Sequence, residues 1–218
     1  MTSRPAKGGG RWVSVGPGRL GRWVDGFAER HGPPTVTATD EAVLFQGADG
    51  ATAECLVPFP PLTLSGGGPL ARLVTHARRE RRVGVLLVRL GGHAAGIFQG
   101  DELLSSKVGS RPVHGRNAAG GWSQQRFARR REKQVGRAHD AAAEVALRVL
   151  GPHLAELEAV ILGGDRRAVD ALRPDRRLAG VLALETGPFL TVPDPRLVVL
   201  AGTPAQFRAV RIRVTDPT

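Results

Sequence analysis

The pattern of apolar and polar residues divides the chain into a strand-rich first part and a mixed remainder. Within residues 11–65, short runs rich in β-branched and aromatic side chains are separated by Gly and Pro, which predicts β-strands in RWVSV, PTVTAT, AVLFQG and AECLVPF. Residues 1–10 are basic and glycine-rich, and we expect a flexible tail there. The Gly-Pro segment 65–69 is the expected boundary, which predicts a β-rich extension (11–69) and a second domain (70–218).

The second domain begins with alternating helix and strand patterns. Residues 70–82 repeat apolar side chains at helical spacing and become basic towards the end, where the helix dipole favours cations. VGVLLVRL (83–90) has the pattern of a buried strand, and GGH (91–93) is predicted to be a turn. AAGIFQG (94–100) is predicted to return as the second strand of a hairpin. DELLSSKV (101–108) is expected as a third strand.

A long helix is predicted from about Ser123 to Leu150. One face of this helix is apolar, through Phe127, Val135, Ala138, Ala142, Val145 and Val149. Residues 158–164 then have a strand pattern and 165–173 a helical one, with Gly163 and Gly164 expected at the turn between them. Further strands are expected at 178–185, in RLVVLAG (196–202) and in QFRAVRIRV (206–214). The succession of hairpin, long helix and β-α-β unit predicts an α/β domain over about 83–202.

The overall composition indicates an anionic partner. The 218 residues are 41% hydrophobic and 23% charged, which is typical of a folded globular protein. The net charge of +11 favours nucleic acid over a membrane surface. No run is long enough to cross a bilayer and no signal peptide is recognised, so we expect a cytoplasmic protein. The single cysteine, Cys55, fits a buried hydrophobe, and neither a metal nor a cofactor is expected.

The positive charge is concentrated between Arg111 and His139, where eight basic residues face the single acid Glu132. Four of the basic residues recur at helical spacing and two more widen the stripe: Arg126, Arg130, Lys133 and Arg137, with Arg129 and Arg131. Such a stripe is suited to RNA phosphates. The alternative is an ordinary solvated helix face, although such faces usually carry interspersed acids.

Two glycines and two glutamines precede this stripe. Gly120 and Gly121 allow the backbone to approach a partner closely, just before a helix N-terminus that favours anions. Gln124 and Gln125 carry amides that donate and accept hydrogen bonds at once, but that are not strong bases at neutral pH. This combination suits a reaction limited by positioning, such as hydrolysis of an activated ester.

Residues 114–133, HGRNAAGGWSQQRFARRREK, resemble the catalytic loop and helix of the eukaryotic and archaeal class 1 translation release factors. That family has His-Gly-Arg, then Gly-Gly-Gln-Ser, then Arg-Phe-Ala-Arg. The matching positions here are His114-Gly115-Arg116, Gly120-Gly121, Ser123 and Arg126-Phe127-Ala128-Arg129. The flanking segments are similar too, over about residues 83–202. The resemblance implies an α/β fold with a mixed β-sheet and packed helices, like the RNase H-like central domain of release factors, behind an N-terminal β-rich extension.

The chain departs from the release factors at the glutamine itself. Trp122 occupies the position of that glutamine, and three residues, 117–119, are inserted after His-Gly-Arg. This variant resembles the Vms-like release factor family, whose catalytic pattern Gly-x-x-Gln falls here on Gly121-Trp122-Ser123-Gln124. The resemblance implies that Gln124 is the catalytic residue and that the substrate is peptidyl-tRNA on a ribosome or its large subunit.

Three side chains of this segment keep alternative roles. Gln125 is the rival of Gln124 if the helix begins one residue later. Trp122 stacks on a nucleotide of the tRNA acceptor end or anchors the loop to the body. His114 is a phosphate contact or loop hydrogen-bonder rather than a general base, because no acid stands near it in sequence. The RNA-binding residues expected are Arg116, Trp122, Arg126, Arg129, Arg130, Arg131, Lys133, Arg137 and His114.

The function expected is that of a peptidyl-tRNA hydrolase that rescues stalled ribosomes, with Gln124 positioning water against the ester. Neither a membrane nor DNA is expected as a partner. No codon-reading domain is recognised in residues 1–82, which favours rescue without stop-codon decoding. The first alternative is a nuclease that removes the tRNA 3′ CCA end, and the second is a ribosome-binding factor without chemistry.

Overall fold

The computed structural model describes residues 3–6, 8–62, 66–110 and 123–217, without the side chains of Ser3 and of residues 123–131. The described strands are β1 (Ser3–Pro5), β2 (Arg11–Val15), β3 (Thr35–Ala38), β4 (Ala42–Gln46), β5 (Thr52–Leu56), β6 (Arg82–Arg89), β7 (Gly92–Gln99), β8 (Glu102–Ser110), β9 (Ala159–Gly164) and β10 (Val210–Thr215). The described α-helices are α1 (Leu20–His31), α2 (Pro69–Arg78), α3 (Ser123–Leu150), α4 (Arg166–Asp170), α5 (Ala179–Ala183), α6 (Leu197–Ala201) and α7 (Pro204–Phe207).

The chain folds as two compact units, and the first is built from both ends of the chain. Residues 1–79 and 204–218 form unit 1, and residues 80–203 form unit 2. The predicted boundary at residues 69 and 70 differs from this division in two ways. Helix α2 packs its Leu73 and Ala77 into the core of unit 1, and β10 lies within the sheet of unit 1.

Unit 1 is a six-stranded sheet with two helices on one face. Its strands run in the order β1-β2-β10-β5-β4-β3, and every neighbouring pair is antiparallel. Residues alternate along each strand, so that Val13 and Val15 of β2 point inwards with Ile212 and Val214 of β10. Helix α1 covers this inner face with three buried side chains, Leu20, Val24 and Phe27.

Two features of unit 1 correct the expectation from sequence. Residues 3–5 of the expected tail form β1, which pairs with β2 in the register Arg4 opposite Trp12. The region 11–65 is not all strand, because helix α1 lies between β2 and β3. The buried side chains of α1 recur at a spacing of 3 or 4 residues. This is the spacing of a helix, and the prediction of strands for this region did not take it into account. The four predicted strands of this region are confirmed as β2 to β5.

Unit 2 contains a four-stranded mixed sheet in the order β8-β7-β6-β9. The predicted hairpin and third strand are confirmed as the antiparallel β6, β7 and β8, and β9 joins β6 in parallel. The long helix is confirmed with the predicted bounds, Ser123–Leu150. It crosses from β8 to β9 and packs its alanines Ala142, Ala143 and Ala146 on the sheet. The mixed α/β fold is therefore as expected.

Two predicted strands of unit 2 are helical instead. Residues 178–185 include α5, and RLVVLAG includes α6. Both are short apolar runs, for which the sequence periodicity alone does not distinguish a helix from a strand. The segment after α5 pairs with β9 in isolated bridges, Val160 with Glu185 and Gly163 with Leu190, rather than as a named strand. Among the helices that the structure describes, none has the length and apolar character needed to span a bilayer.

Cys55 lies on β5 in the core of unit 1 and is fully buried. Burial raises the pKa of its thiol to about 12, and the neighbouring charge of Glu54 adds to the rise. We therefore expect no reaction with a thiol reagent near pH 8 in the native protein and complete reaction in denaturant, because the thiolate is the reactive form. Labelling followed by mass spectrometry measures this, and equal labelling rates in both states would contradict it.

The same thiol predicts a loss of stability in alkali. The unfolded chain releases this proton near pH 9.0, whereas the folded chain holds it to about pH 12. Between these values the unfolded state binds fewer protons, so the contribution of Cys55 to stability falls as the pH rises. A Cys55→Ala variant should lose less stability over this window than the wild type when both are unfolded in urea.

Candidate nucleic-acid interface

The candidate interface lies at one edge of the unit 2 sheet. Strands β6, β8 and β9 run in the same direction, because β7 is antiparallel to both β6 and β8 and β9 is parallel to β6. Their carboxyl ends therefore meet at one edge, where β8 ends at Ser110 and β9 ends at Gly164. In open α/β sheets, ligands bind in the crevice at this edge. The catalytic segment predicted from sequence begins directly after Ser110.

Helix α3 must begin near this same edge. It connects β8 to the parallel strand β9, so it returns the chain from the carboxyl edge to the opposite one. Its 28 residues span about 42 Å, whereas the nine residues of β8 span about 30 Å. The first buried side chain described on α3 is Ala138, and Gln124 lies about 21 Å before it along the helix axis.

Two predicted RNA-binding side chains are described on the amino-terminal half of α3. Lys133 and Arg137 are both exposed, and their spacing of four residues places them on one helical face. Val135 between them is only half-buried, whereas Ala138 and Ala142 are buried. The helix thus changes from a solvent-facing basic part to a packed alanine-rich part near residue 138.

The remaining predicted site residues stand outside the described side chains. His114, Arg116, Gly120, Gly121 and Trp122 lie in the segment 111–122, which is outside the described residues. The backbone of α3 is described from Ser123, and the side chains of Gln124, Gln125, Arg126, Arg129, Arg130 and Arg131 are outside the described part. Phe127, on the predicted apolar face of the helix, belongs to the same group. Their roles remain predictions.

Several cations at the carboxyl edge were not singled out from the sequence. Arg89, at the end of β6, donates from Nη1 to the carbonyl of Val192 over 2.8 Å. The guanidinium of Arg166 lies 4.2 Å from the ring centroid of Phe189, and Arg167 beside it is exposed. The signal that could have found them is their position, because they end or directly follow strands that meet at this edge.

His93 and Gly109 form a close pair beside the end of β8. The sequence placed His93 in a turn, but it lies in β7, is buried, and faces Gly109 of β8 in register. A Cβ atom on Gly109 would lie 2.3 Å from Nε2 of His93, so only glycine leaves room for the ring. The imidazole therefore lies beside the carboxyl end of β8, directly before the segment 111–122 in sequence.

The expected turn at Gly163 and Gly164 is confirmed. Gly164 adopts φ 107°, and a Cβ atom there would lie 2.1 Å from the carbonyl oxygen of Val88. Asp165 follows as the cap of α4, and its carboxylate accepts hydrogen bonds from the backbone N–H groups of Arg167 and Ala168. In the part of the chain that the structure describes, no three His, Cys, Asp or Glu side chains cluster in a way that could hold a metal ion.

The comparison with protein families decides the assignment. The family described as Actinobacteria/chloroflexi VLRF1 release factor matches residues 81–213, more than half of the chain. The chain belongs to this VLRF1 release factor family. The matched range contains all of β6 to β9, helix α3 and the segment 111–122, so it covers the whole candidate interface. The resemblance to Vms-like release factors is thereby confirmed. No curated protein matches the chain.

Solved structures with similar folds are distant from this VLRF1 protein. The archaeal translation termination factor aRF1 is 16% identical, with 90% of this chain and 66% of that chain covered and a TM-score of 0.45. The Vms1 mitochondrial localization core is 12% identical, with 89% and 80% covered and a TM-score of 0.41. Dom34 of S. cerevisiae is 9% identical, with 92% and 65% covered and a TM-score of 0.34. The chain spans just under two thirds of aRF1, and the family assignment rests on the sequence match alone.

Proposed function

We propose that this VLRF1 protein is a peptidyl-tRNA hydrolase that rescues stalled ribosomes. The observation that carries the proposal is the start of α3 at Ser123, within Gly121-Trp122-Ser123-Gln124 of a release-factor family member. Gln124 thereby belongs to the first turn of a helix that begins near the carboxyl edge of the sheet. A residue on a helix that continues into a packed segment is positioned more firmly than one in a free loop.

The chemistry assigned to Gln124 is positioning rather than proton abstraction. Its amide can accept a hydrogen bond from water and donate one to the ester oxygen. The water oxygen attacks the ester carbonyl and the bond to the tRNA 3′ oxygen breaks. One proton of the water passes to that oxygen, the other goes to solvent, and the peptide leaves as a carboxylate. Orientation of this kind can remove about 7–11 kcal/mol of a barrier, so no strong base is required. Gly120 and Gly121 carry no side chains, which is proposed to let this part of the chain enter a narrow catalytic cavity.

RNA is held by the basic part of α3 and by the segment before it. Lys133 and Arg137 are exposed and face the same side, and the proposed stripe extends from them through Arg126, Arg129, Arg130 and Arg131. His114 and Arg116 are proposed phosphate contacts and Trp122 a stacking contact for a nucleotide of the acceptor end. The partner of this surface is peptidyl-tRNA on the ribosomal large subunit.

A release assay tests the proposal directly. Large subunits carrying peptidyl-tRNA are incubated with the protein, and both the freed peptide and the 3′ end of the freed tRNA are analysed. An intact CCA end with free peptide is the expected result. A tRNA shortened at its 3′ end, with nucleotides left on the peptide, would replace hydrolysis by the nuclease alternative. Binding without any release would show a factor that occupies the ribosome without chemistry.

Removing Lys133 and Arg137, the described members of the basic stripe, should make the affinity for RNA less dependent on salt. Each phosphate contact on a single strand contributes about −0.7 to the slope of log affinity against log salt. Lys133→Ala together with Arg137→Ala should therefore reduce the slope by about 1.4 and weaken RNA binding at low salt. Fluorescence anisotropy with a labelled single-stranded RNA at several salt concentrations measures this change in slope.

Arg148→Ala supplies the matched control for this experiment. Arg148 is exposed on the same helix, but it lies near the carboxyl end, away from the proposed stripe. An Arg148→Ala variant that changes the slope as much as the Lys133 and Arg137 replacements would show that only total charge matters.

A further inference from the structure

Helices α1 and α2 cover one face of the unit 1 sheet, and the other face carries the alternate side chains of its strands. Helix α1 and helix α2 bury their apolar side chains against the inner face, with Val13, Val15, Ile212 and Val214. Side chains of the alternate positions point to the outer face, where Ser14 of β2 and Arg211 of β10 are exposed. The outer face near β1, β2 and β10 is therefore a solvent-facing surface of antiparallel strands.

An aromatic side chain lies among arginines on this face. Arg4 of β1, Trp12 of β2 and Arg213 of β10 stand directly opposite one another in register, in one row across the three strands. The arginines at the ends of this row are about 10 Å apart, given the spacing of neighbouring strands. The guanidinium of Arg211 lies over the Trp12 ring, 4.7 Å from its centroid. The indole thus has a cation on one side and two more beside it.

Arg213 retains an unused donor within the described residues. Its Nη2 donates to the carbonyl of Gly8 over 3.3 Å, in the turn between β1 and β2. Its Nε is buried and has no hydrogen-bond partner in the described part of the chain. Buried donors usually have partners, so this nitrogen is an unsatisfied polar group next to the row of Arg4, Trp12 and Arg213.

The outer face of β1, β2 and β10 carries part of the positive charge of unit 1. Unit 1 contains 12 basic and 7 acidic residues, so it carries a positive excess of its own besides that of α3. Arg4, Arg211 and Arg213 lie on the outer face of β1 and β10, and Glu54 on the neighbouring β5 is the acid opposite Arg213. Arg11 at the start of β2 is paired with Asp216 over 2.9 Å. The net charge of this face favours an anionic ligand.

We propose that the outer face of β1, β2 and β10 binds single-stranded RNA. Trp12 stacks on a base, and Arg4, Arg211 and Arg213 contact the phosphates on either side. An aromatic side chain surrounded by arginines on an open surface is the combination by which proteins hold unpaired nucleotides without reading their sequence. An acidic protein segment would use the arginines but leave the central indole without a stacking partner. The site lies in unit 1 and does not depend on the proposed hydrolysis.

The test uses the full chain with the Gln124→Ala replacement, which separates binding from turnover. The probe is a fluorescein-labelled single-stranded RNA of about twelve nucleotides that contains 4-thiouridine, since sites of this kind cover about 4–16 nucleotides. Affinity is measured by anisotropy at several salt concentrations. After ultraviolet irradiation and tryptic digestion, mass spectrometry identifies the crosslinked peptides, among which we expect residues 12–19.

Trp12→Ala should lower the affinity about tenfold and abolish the crosslink to residues 12–19, whereas Trp12→Phe should preserve both. Arg211→Gln should weaken binding severalfold and make the salt slope shallower by about 0.7. Arg30→Gln is the matched control, because Arg30 is an exposed arginine on α1. If Trp12→Ala proves unstable on heating, Arg211→Gln decides the question in a folded protein.

The proposal is overturned if Trp12→Ala and Arg211→Gln bind RNA as well as Arg30→Gln does. It is also overturned if every crosslink maps outside residues 1–79 and 204–218, which would leave α3 and its preceding segment as the RNA surface. Peptide release by the wild type is measured in parallel. The presence or absence of peptide release tests the proposed hydrolysis and does not test RNA binding by this face.

Discussion

Replacing Gln124 by alanine should lower the rate of peptide release by about 10²–10³-fold and leave the affinity for tRNA nearly unchanged. The reason is that the amide of Gln124 is proposed to act on the water and on the developing oxyanion, not on the bound phosphates. An oriented donor of this kind contributes about 3–4 kcal/mol to the transition state. Single-turnover release from large subunits and anisotropy with isolated tRNA measure the two quantities separately.

Two glutamine controls sharpen this experiment. Gln125→Ala tests the rival residue, since a helix that began one residue later would exchange the two roles. Gln134→Ala removes a third glutamine, half-buried on the same helix and ten residues further along, so it controls for general effects on α3. If Gln125→Ala abolishes release and Gln124→Ala does not, the Gly-x-x-Gln assignment is wrong. If neither does, the glutamines serve the structure of the segment and the arginines carry the function.

Replacing Gly164 by alanine should destabilise the protein by about 3 kcal/mol or more, the largest effect on stability that we expect from a single added methyl group. The residue adopts φ 107°, which side chains rarely tolerate, and the new Cβ would lie 2.1 Å from the carbonyl oxygen of Val88. That oxygen accepts the N–H of Asp165 over 2.8 Å. Because the backbone of β6 cannot move aside cheaply, the substitution would separate β6 from β9 at the carboxyl edge.

Thermal unfolding measures this effect, with an expected fall of the midpoint by roughly 6–12 °C. Gly136→Ala is the matched control, because a Cβ atom on Gly136 meets nothing within 4 Å on the exposed part of α3. The same change of residue should there stabilise the helix by about 0.5–1 kcal/mol. A Gly164→Ala protein as stable as the wild type would show that β6 and β9 are not held this closely.

The sequence does not reveal that the cations at the carboxyl edge lie on neighbouring strands. Arg166 and Arg167 were read as part of a short helix, and Arg89 as the end of a strand. Neither pattern reveals that the two segments are neighbours, since β6 and β9 are separated by about 70 residues. The parallel pairing of β6 with β9 creates this edge, and pairing over that distance leaves no local signal.

His93 illustrates the same limit on a smaller scale. The Gly-Gly before it suggested a turn, and the turn is real, since Gly91 adopts φ 89°. The histidine itself is buried because Gly109 of β8 lies opposite and leaves space for its ring. The glycine was visible in the sequence, but its pairing with His93 depends on the register between two strands.

The sequence by itself determined the elements whose patterns are long or strongly periodic, and the family. The bounds of α3, the strands β6 to β9 and the Gly-x-x-Gln segment with its basic stripe are all readable from residue order, because they depend on local spacing and charge. Only the tertiary structure decided which unit each segment joins. Helix α2 and strand β10 belong with the N-terminal strands because their apolar faces complete that core, and core packing between residues distant in sequence has no periodic signature. The row of Arg4, Trp12 and Arg213 arises in the same way, from three strands drawn from opposite ends of the chain.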